Sequence, residues 1–516
     1  MRLADNVRAL AVLHGAGMVD LRHPVPGVRK SLAIRRLGPI AGAAAHQDPQ
    51  RLALIDEFGG LTYGELDRRA NSIARGWATL GLRPGDVVGV LCRNHRGLVD
   101  AMIACGKFGA RLVLLNTGFS QVQLADVAAR EGVSALVYDS EFEDLLSGVP
   151  ASVHRIVDLE ELIASYSSAP FDPPARQGGM VLLTGGTTGT PKGAPRQVRS
   201  PLTAAQFLDR VPLRRGDVVL ISTPVFHGTG LTQLIMTLAL GSTLVFQRRF
   251  DPLAVVEGIA EHRATALIVV PTILQRILAL GPETLGRYDL SSLRLIMSAG
   301  ALLPTDLGNR TMETFGPVLH NLYGSTECAV ATVATPADWL AAPGTAGLPP
   351  VGCRVRLYDS SGRAIVEPGV TGRIFVGNGL SFGGYTGGGH KDMIDGLLST
   401  GDLGHLDAAG RLFVDGRDDD MIVSGGENVF PIEVENLVEA MPGVAEVAAV
   451  GVPDEDFGQR LRLYVVLADG ASLDGDAIRG HVWENLARFK VPREVVLLPS
   501  LPRTATGKLA RRELPC

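Results

Sequence analysis

The segment Val181-Leu182-Leu183-Thr184-Gly185-Gly186-Thr187-Thr188-Gly189-Thr190-Pro191-Lys192-Gly193 is the most specific piece of chemistry in the chain. An apolar run of strand character leads straight into glycines, threonines and one lysine. Glycines let backbone N–H groups converge on an anion, and hydroxyls and an ammonium add further donors. The spacing is not that of the GxxxxGK[ST] loop, so a different device for holding phosphate is expected. Further polar, glycine-bearing segments follow in order. They are Asn321-Leu322-Tyr323-Gly324-Ser325-Thr326-Glu327, Ser399-Thr400-Gly401-Asp402, Gly416-Arg417-Asp418-Asp419-Asp420-Met421-Ile422, Gly425-Gly426-Glu427-Asn428 and Pro502-Arg503-Thr504-Ala505-Thr506-Gly507-Lys508.

From about residue 50 to the C-terminus, the order and spacing of these segments resemble the adenylate-forming superfamily. That superfamily includes acyl-CoA synthetases, luciferases and peptide-synthetase adenylation domains. The resemblance implies an acyl-CoA synthetase that uses ATP, Mg²⁺ and CoA. A carboxylate attacks the α-phosphate of ATP to give acyl-AMP and pyrophosphate, and the acyl group then passes to the CoA thiol with release of AMP. Both first reactants are anions, so fixed positive charge and hydrogen-bond donors must offset their repulsion. Holding the two centres together lowers the barrier further.

The resemblance also implies roles, position by position. Thr184, Gly185, Gly186, Thr187, Thr188, Gly189 and Lys192 would hold the triphosphate. Glu327 would bind magnesium, a hard cation that takes oxygen ligands, and Thr326 would donate to the α-phosphate. Tyr323 would offer its ring to adenine, beside Asn321, Gly324 and Gly300. Asp402 would accept both ribose hydroxyls, since a carboxylate has two acceptor oxygens, with Arg417 near the ribose and phosphates. Asp419 falls at the hinge, and Gly425 and Gly426 would line a pantetheine tunnel, where glycine leaves room for a narrow ligand. Lys508 would reach the substrate carboxylate and α-phosphate as a mobile point charge.

Pro224-Val225-Phe226-His227-Gly228-Thr229-Gly230 matches the family segment beside the acyl site. Amino-acid-activating members place an aspartate in this region. Phe226-His227 leaves a substrate ammonium unpaired, which is costly when buried. Phe226, His227, Gly228, Ser298 and Ala299 are the expected acyl pocket, and His227 joins Lys508, Glu327 and Thr326 as an expected catalytic residue. A fatty acid is the leading expectation, with an aromatic or branched acid behind it. Gly185 stands where the family usually has serine, and Thr371-Gly372-Arg373 carries arginine where Gly-Glu is usual. Asp395-Gly396-Leu397 lacks the usual tryptophan, and Gly387-Gly388-Gly389-His390 replaces the common Asn-Pro-Glu stretch. Three alternatives stand beside the main reading: an acyl-AMP ligase that loads a carrier protein, an aromatic-acid CoA ligase, and a nucleotide- or acyl-binding pseudoenzyme.

These segments need a scaffold, and the flanking pattern supplies one. Leu66, Ala70, Ile73, Ala74, Trp77 and Leu80 follow helical spacing. A turn at Arg83-Pro84-Gly85-Asp86 leads to the apolar strand Val87–Leu91. Apolar runs at 112–115, 181–183, 218–221, 244–246 and 267–270 predict further buried strands. Helical stretches lie between several of them, as in α/β folds with largely parallel sheets. After about residue 345, shorter alternating runs such as 354–358, 374–376 and 412–414 predict a β-rich subdomain. The last hundred residues read helix, strand, strand, helix, strand, a small mobile α+β domain. The expected division is an N-terminal extension over 1–45, an ATP- and acid-binding domain over 46–416, a hinge at 417–419 and a C-terminal domain over 420–516.

Composition bounds the rest. The 516 residues carry 49 Lys+Arg and 54 Asp+Glu, a formal charge of -5, which speaks against a nucleic-acid partner. Five scattered cysteines without CxxC spacing predict neither a disulfide framework nor a zinc site, and suit the cytoplasm. No apolar run approaches the ~18–20 residues of a membrane span. Residues 1–40 are basic, with Arg2, Arg8, Arg22, Arg29, Lys30, Arg35 and Arg36 against Asp5 and Asp20. A solvated extension is the main expectation there, with peripheral contact to an anionic membrane surface as the other. A homodimer is the default oligomer. The lysine assignment makes one prediction. Lys508→Ala should abolish adenylation, read as pyrophosphate release, and leave thiol transfer from supplied acyl-adenylate largely intact; equal loss of both half-reactions would contradict it.

Overall fold

The computed structural model describes residues 3–21, 24–157, 159–184, 192–196, 201–379, 391–418, 422–424, 427–454, 458–486, 490–503 and 509–515. Four sheets organise these residues. The largest has eight strands in the order Thr332–Ala334, Leu319–Tyr323, Leu295–Ala299, Ala266–Val269, Val218–Ile221, Thr243–Phe246, Leu52–Asp56 and Gly59–Thr62. Its inner strands all run parallel, and antiparallel strands close both edges. The inner strands are apolar on both faces because helices cover both sides, which is why they read as continuous runs rather than alternations. One face packs with Val219, Ile221, Ala266, Ile268 and Met297, the other with Leu220, Leu267, Val269 and Ile296.

The second sheet joins Val87–Leu91, Arg111–Leu114, Val133–Tyr138, His154–Ile156 and Met180–Thr184 in parallel, with Lys192–Arg196 antiparallel at one edge. Thr184 pairs with Lys192, so the two ends of the phosphate-loop segment stand side by side. Residues 185–191 themselves lie outside the described residues. The third sheet is antiparallel and holds Arg354–Tyr358, Gly372–Gly377, Leu397–Leu406 and Leu412–Arg417 among its strands. The fourth pairs Val444–Asp454 with Gly458–Leu467 and adds Glu494–Leu497 in parallel. Under it pack the helices Pro431–Glu439 and Gly475–Asn485, with a separate core of Val434, Val438, Leu463, Val465, Ile478 and Val482. Leu412–Arg417 belongs to the third sheet and Ile422–Ser424 to the fourth, so the chain changes sheets across 418–421.

Local sequence fixes where the helices start. Thr62 and Glu65 form a reciprocal capping box for Tyr63–Thr79, as Ser120 and Gln123 do for Gln121–Glu131. His95 caps Arg96–Phe108 through its ring nitrogen, and left-handed Gly109 ends that helix.

The N-terminal segment departs from the solvated extension expected of it. Leu3–Gly15, Pro24–Leu37 and Pro39–Ala44 are helices. Ala9, Leu13, Ala16, Ile40, Ala41 and Ala43 are buried in the main core. Arg8 makes a two-pronged ion pair with Asp209, whose second oxygen also accepts the Val351 N–H at 2.9 Å. Apolar residues hidden between the arginines carry this docking, and the charge pattern masked them. Among the described residues no helix is long and apolar enough to cross a membrane.

Close approach of Pro39–Ala44 to Arg96–Phe108 depends on Gly106. A Cβ there would lie 2.4 Å from the Leu37 carbonyl and 2.6 Å from Ala41 Cβ. Gly106→Ala should therefore force this contact apart and lower stability by about 1–3 kcal/mol, the usual cost of overpacking. Denaturant unfolding checks the loss, and faster proteolysis within residues 1–45 checks its location.

Candidate active site

Parallel strands leave a crevice beyond their carboxyl ends, where loops can face a ligand. Leu295–Ala299 and Leu319–Tyr323 are neighbours there, with Ser298 paired to Asn321. Gly300, exposed and at φ +87°, turns the chain out of the sheet, a conformation that costs glycine least. Its missing side chain would point between Val270 Cγ1 and Thr229 Oγ1, at 3.5 and 3.6 Å. Asn321 is buried and donates its side-chain N–H to the Thr345 carbonyl at 3.1 Å. That bond uses one of its two N–H donors and fixes the amide orientation. Gly324 is required by crowding: a Cβ would stand 2.0 Å from the Ala329 carbonyl oxygen.

Tyr323 links the large sheet to the third. Its hydroxyl donates to Asp402 Oδ2 at 2.5 Å, and Arg417 Nη1 donates to Asp402 Oδ1 at 3.2 Å. Asp402 and Arg417 also face each other in register across adjacent strands. Thr400 Oγ1 accepts the Asp402 N–H at 3.1 Å. Burial raises the Asp402 pKa above the ordinary aspartate value, while the Tyr323 hydroxyl and the Arg417 charge pull it back down. Burial, followed by the Asp402 charge, pushes the Tyr323 phenol far above its usual range, so it remains a donor.

Thr326 and Glu327 sit on a turn built from local bonds. Ser325 Oγ accepts the N–H groups of Glu327 and Cys328 at 3.2 and 3.3 Å. Asn378 Nδ2 bonds the carbonyls of Cys328 and Val330 at 2.6 and 2.7 Å. Ala329 takes φ +63°, rare for a residue with a side chain. Glu327 is thus presented by a hydrogen-bonded turn, with a carboxylate of the kind that suits a hard cation.

Phe226 and His227 precede the helix Gly228–Leu240, with ring centroids 4.5 Å apart and planes tilted by 57°. Both side chains are half-buried, as are Thr229, Thr232 and Ile235 on the helix, and a Cβ at Gly228 would meet no atom within 4 Å. Ser298 and Ala299 correct the expected pocket lining. Both lie inside a strand and are almost wholly buried, so Gly300 rather than either of them faces outward. Gly185, Gly186, Thr187, Thr188, Gly189, Asp419, Gly425, Gly426 and Lys508 lie outside the described residues, as do the side chains of Thr184 and Lys192. The structure therefore gathers Gly300, Asn321, Tyr323, Gly324, Asp402 and Arg417 around one crevice, with Thr326 and Glu327 following directly on Tyr323 and Gly324. Sequence reasoning missed Thr229, Thr345 and Asn378, whose signal is tertiary. Thr400 was visible only as a neighbour of Asp402.

A large α/β part built on parallel sheets, followed by a separate small α+β C-terminal part, is the arrangement of the adenylate-forming enzymes. The AMP-binding enzyme family matches residues 42–386, and the AMP-binding enzyme C-terminal domain matches residues 433–508. Feruloyl-CoA synthase of an Amycolatopsis species is 35% identical over 478 residues, covering 91% of this chain and 96% of that protein. The fatty acid–acyl-carrier-protein ligase ScoC of Streptomyces coeruleorubidus is 31% identical over 490 residues, covering 91% and 94%. The solved o-succinylbenzoate CoA synthetase MenE of Bacillus subtilis, in complex with the acyl-adenylate intermediate OSB-AMP, superposes with a TM-score of 0.83 at 30% identity, covering 93% and 98%. The chain belongs to the AMP-binding enzyme family, within the adenylate-forming superfamily, and is an AMP-forming acid–thiol ligase. ATP with Mg²⁺ and CoA are the reactants of this class.

In its expected ribose-binding role, Asp402 must be ionised to accept two hydroxyls. Its pKa is raised, so AMP affinity should be full above that pKa and fall as pH drops through it, at a higher pH than an ordinary aspartate would give. Asp402→Asn should weaken AMP by roughly ten- to a hundredfold, the scale of losing one or two charge-assisted bonds, and should flatten this pH dependence. Calorimetric titration of AMP across the acid range checks both.

Proposed function

We propose that the protein is a CoA ligase for a compact aromatic carboxylic acid. The supporting observation is how the helix Gly228–Leu240 spends its side chains. Leu231, Leu234, Leu238 and Leu240 are at most 2% exposed and belong to the main core. These four leucines are thereby unavailable to wall the long apolar tunnel that a fatty chain needs, leaving Ile235 as the half-buried aliphatic residue of the helix. Gly300 is bordered by Val270 and Thr229, and the Phe226 and His227 rings stand at the start of the helix that carries Thr229. Tilted rings of this kind pair well with another ring. Feruloyl-CoA synthase and o-succinylbenzoate CoA synthetase, whose named acids are aromatic, are relatives along nearly the whole chain. The fatty acid first expected is thereby displaced to second place.

In this mechanism the acid lies along Phe226, His227 and Gly228, with its carboxylate turned toward the nucleotide. Asn321, Tyr323 and Gly324 hold adenine, and Asp402 with Arg417 holds ribose. Thr326 donates to the α-phosphate, and residues 184–192 hold the β- and γ-phosphates through backbone N–H groups. Glu327 would hold Mg²⁺, which supplies charge neutralisation between the phosphates. Lys508 bridges carboxylate and α-phosphate during adenylation. A hinge at Asp419 then brings Gly425 and Gly426 round the pantetheine arm for thiol attack.

A product screen tests the acid class. Purified protein would receive ATP, Mg²⁺, CoA and a panel of cinnamates, benzoates, arylacetates and straight-chain acids. The expected product is an aryl-CoA, with kcat/KM at least about tenfold above any straight-chain acid, the order that a pocket shaped for one skeleton delivers. Preference for a straight-chain acid would refute the aromatic assignment. Acyl-adenylate without thioester would move the acceptor to a carrier protein, the reaction named for ScoC.

A further inference from the structure

At the carboxyl end of Val87–Leu91, on the second sheet, Cys92, His95 and Asp139 bring a thiol, an imidazole and a carboxylate within 4.8 Å of one another. The set resembles a metal site, but its protons exclude that. His95 Nδ1 accepts the Gly97 N–H at 3.1 Å, so the ring proton sits on Nε2 and is donated to Asp139 Oδ1 at 2.7 Å. A metal on Nε2 would push that proton onto the nitrogen that already caps the helix. Arg248 adds a positive charge 3.2 Å from Asp139 Oδ2.

The cluster grips the backbone instead. Asp139 Oδ2 accepts the Arg93 N–H at 2.9 Å while Oδ1 takes the His95 ring. The residues on both sides of Asn94 are thus fixed. Asn94, itself 8% exposed, reaches across to the large sheet. Its Nδ2 donates to the Thr223 carbonyl at 2.9 Å, and its Oδ1 accepts the Val225 N–H at 3.0 Å. Thr223–Val225 is neither strand nor helix, so this one amide satisfies two backbone groups that lack a ladder. From below, Gly230 packs so closely that a Cβ would lie 2.6 Å from the Pro224 carbonyl oxygen. The next two residues are Phe226 and His227.

We propose that Asn94 is a positioning residue for the acid: held by Asp139 through Arg93 and His95, it sets where Phe226 and His227 stand relative to the nucleotide. The inference rests on the acyl site proposed above. Asn94→Ala should lower kcat/KM for the acid by about ten- to a hundredfold, the scale of a misplacement near 1 Å, chiefly through KM. ATP affinity, measured without acid, should stay within about twofold, since among the described residues the bonds to Thr223 and Val225 come from Asn94 and not from Asn321, Tyr323, Asp402 or Arg417. Hydrogen exchange should quicken in peptides covering 222–228 and not in those covering 295–300 or 319–323. Asn94→Ser, whose hydroxyl can serve one of the two backbone groups, should fall between, and it carries the test if the alanine variant does not fold. Unchanged acid kinetics with an active wild type would overturn this inference alone. So would an equal loss of ATP and acid affinity. A wild type that forms no acyl-adenylate from any acid would overturn the proposed function and this inference with it.

Discussion

The Tyr323–Asp402–Arg417 contact is the constraint on which the active-site crevice depends. Tyr323 ends a strand of the parallel sheet, Asp402 lies in the middle of an antiparallel one, and Arg417 ends the last strand before the chain crosses to the C-terminal sheet. Three separately built parts therefore meet on one carboxylate. A buried charge without partners would be expensive, so once Asp402 is enclosed the other two groups must come to it. The same two bonds that make burial tolerable also aim the carboxylate, so under the proposed ribose-binding role structure and nucleotide recognition are inseparable at this point.

Much of the scaffold was legible because its strands are covered on both faces. Runs such as Val218–Ile221 and Val87–Leu91 occur in the structure as read, and Arg354–Tyr358 is a strand whose expected wet face holds for Arg354 and Arg356 but not for the buried Tyr358. From residue 431 on, the expected order of helix, strand, strand, helix, strand is found, but the short strands Ile422–Ser424 and Glu427–Val429 that precede it were not read from the sequence. What escaped was anything decided by distant partners. Residues 3–44 look basic and loose in sequence, yet Leu13 and Ile40 are core residues once Asp209 and the helix Arg96–Phe108 are in place.

The site was legible as chemistry and poorly legible as geometry. Asp402, Tyr323, Asn321 and Arg417 stand together because short motifs at strand ends carry them into one crevice. Ser298 and Ala299 belong to an equally suggestive small-residue run, but pattern alone cannot tell the last inward residue of a strand from the first outward one after it. That boundary falls at Gly300, where the backbone turns left-handed. Asn94 gave no signal at all, since a single asparagine after an apolar strand looks like an ordinary turn residue.

The docking of the first forty residues has a consequence in time. Arg8 meets Asp209 across 201 positions of sequence, and the Ala16 carbonyl accepts the N–H of Arg215. During synthesis at roughly 5–20 residues per second, the earliest helices must wait on the order of ten to forty seconds for those partners to emerge. Over that interval Ala9 and Leu13 have no permanent cover. The arginines that disguise the segment in the finished protein then have a second use, keeping a waiting apolar face in solution until the chain that closes over it has been made.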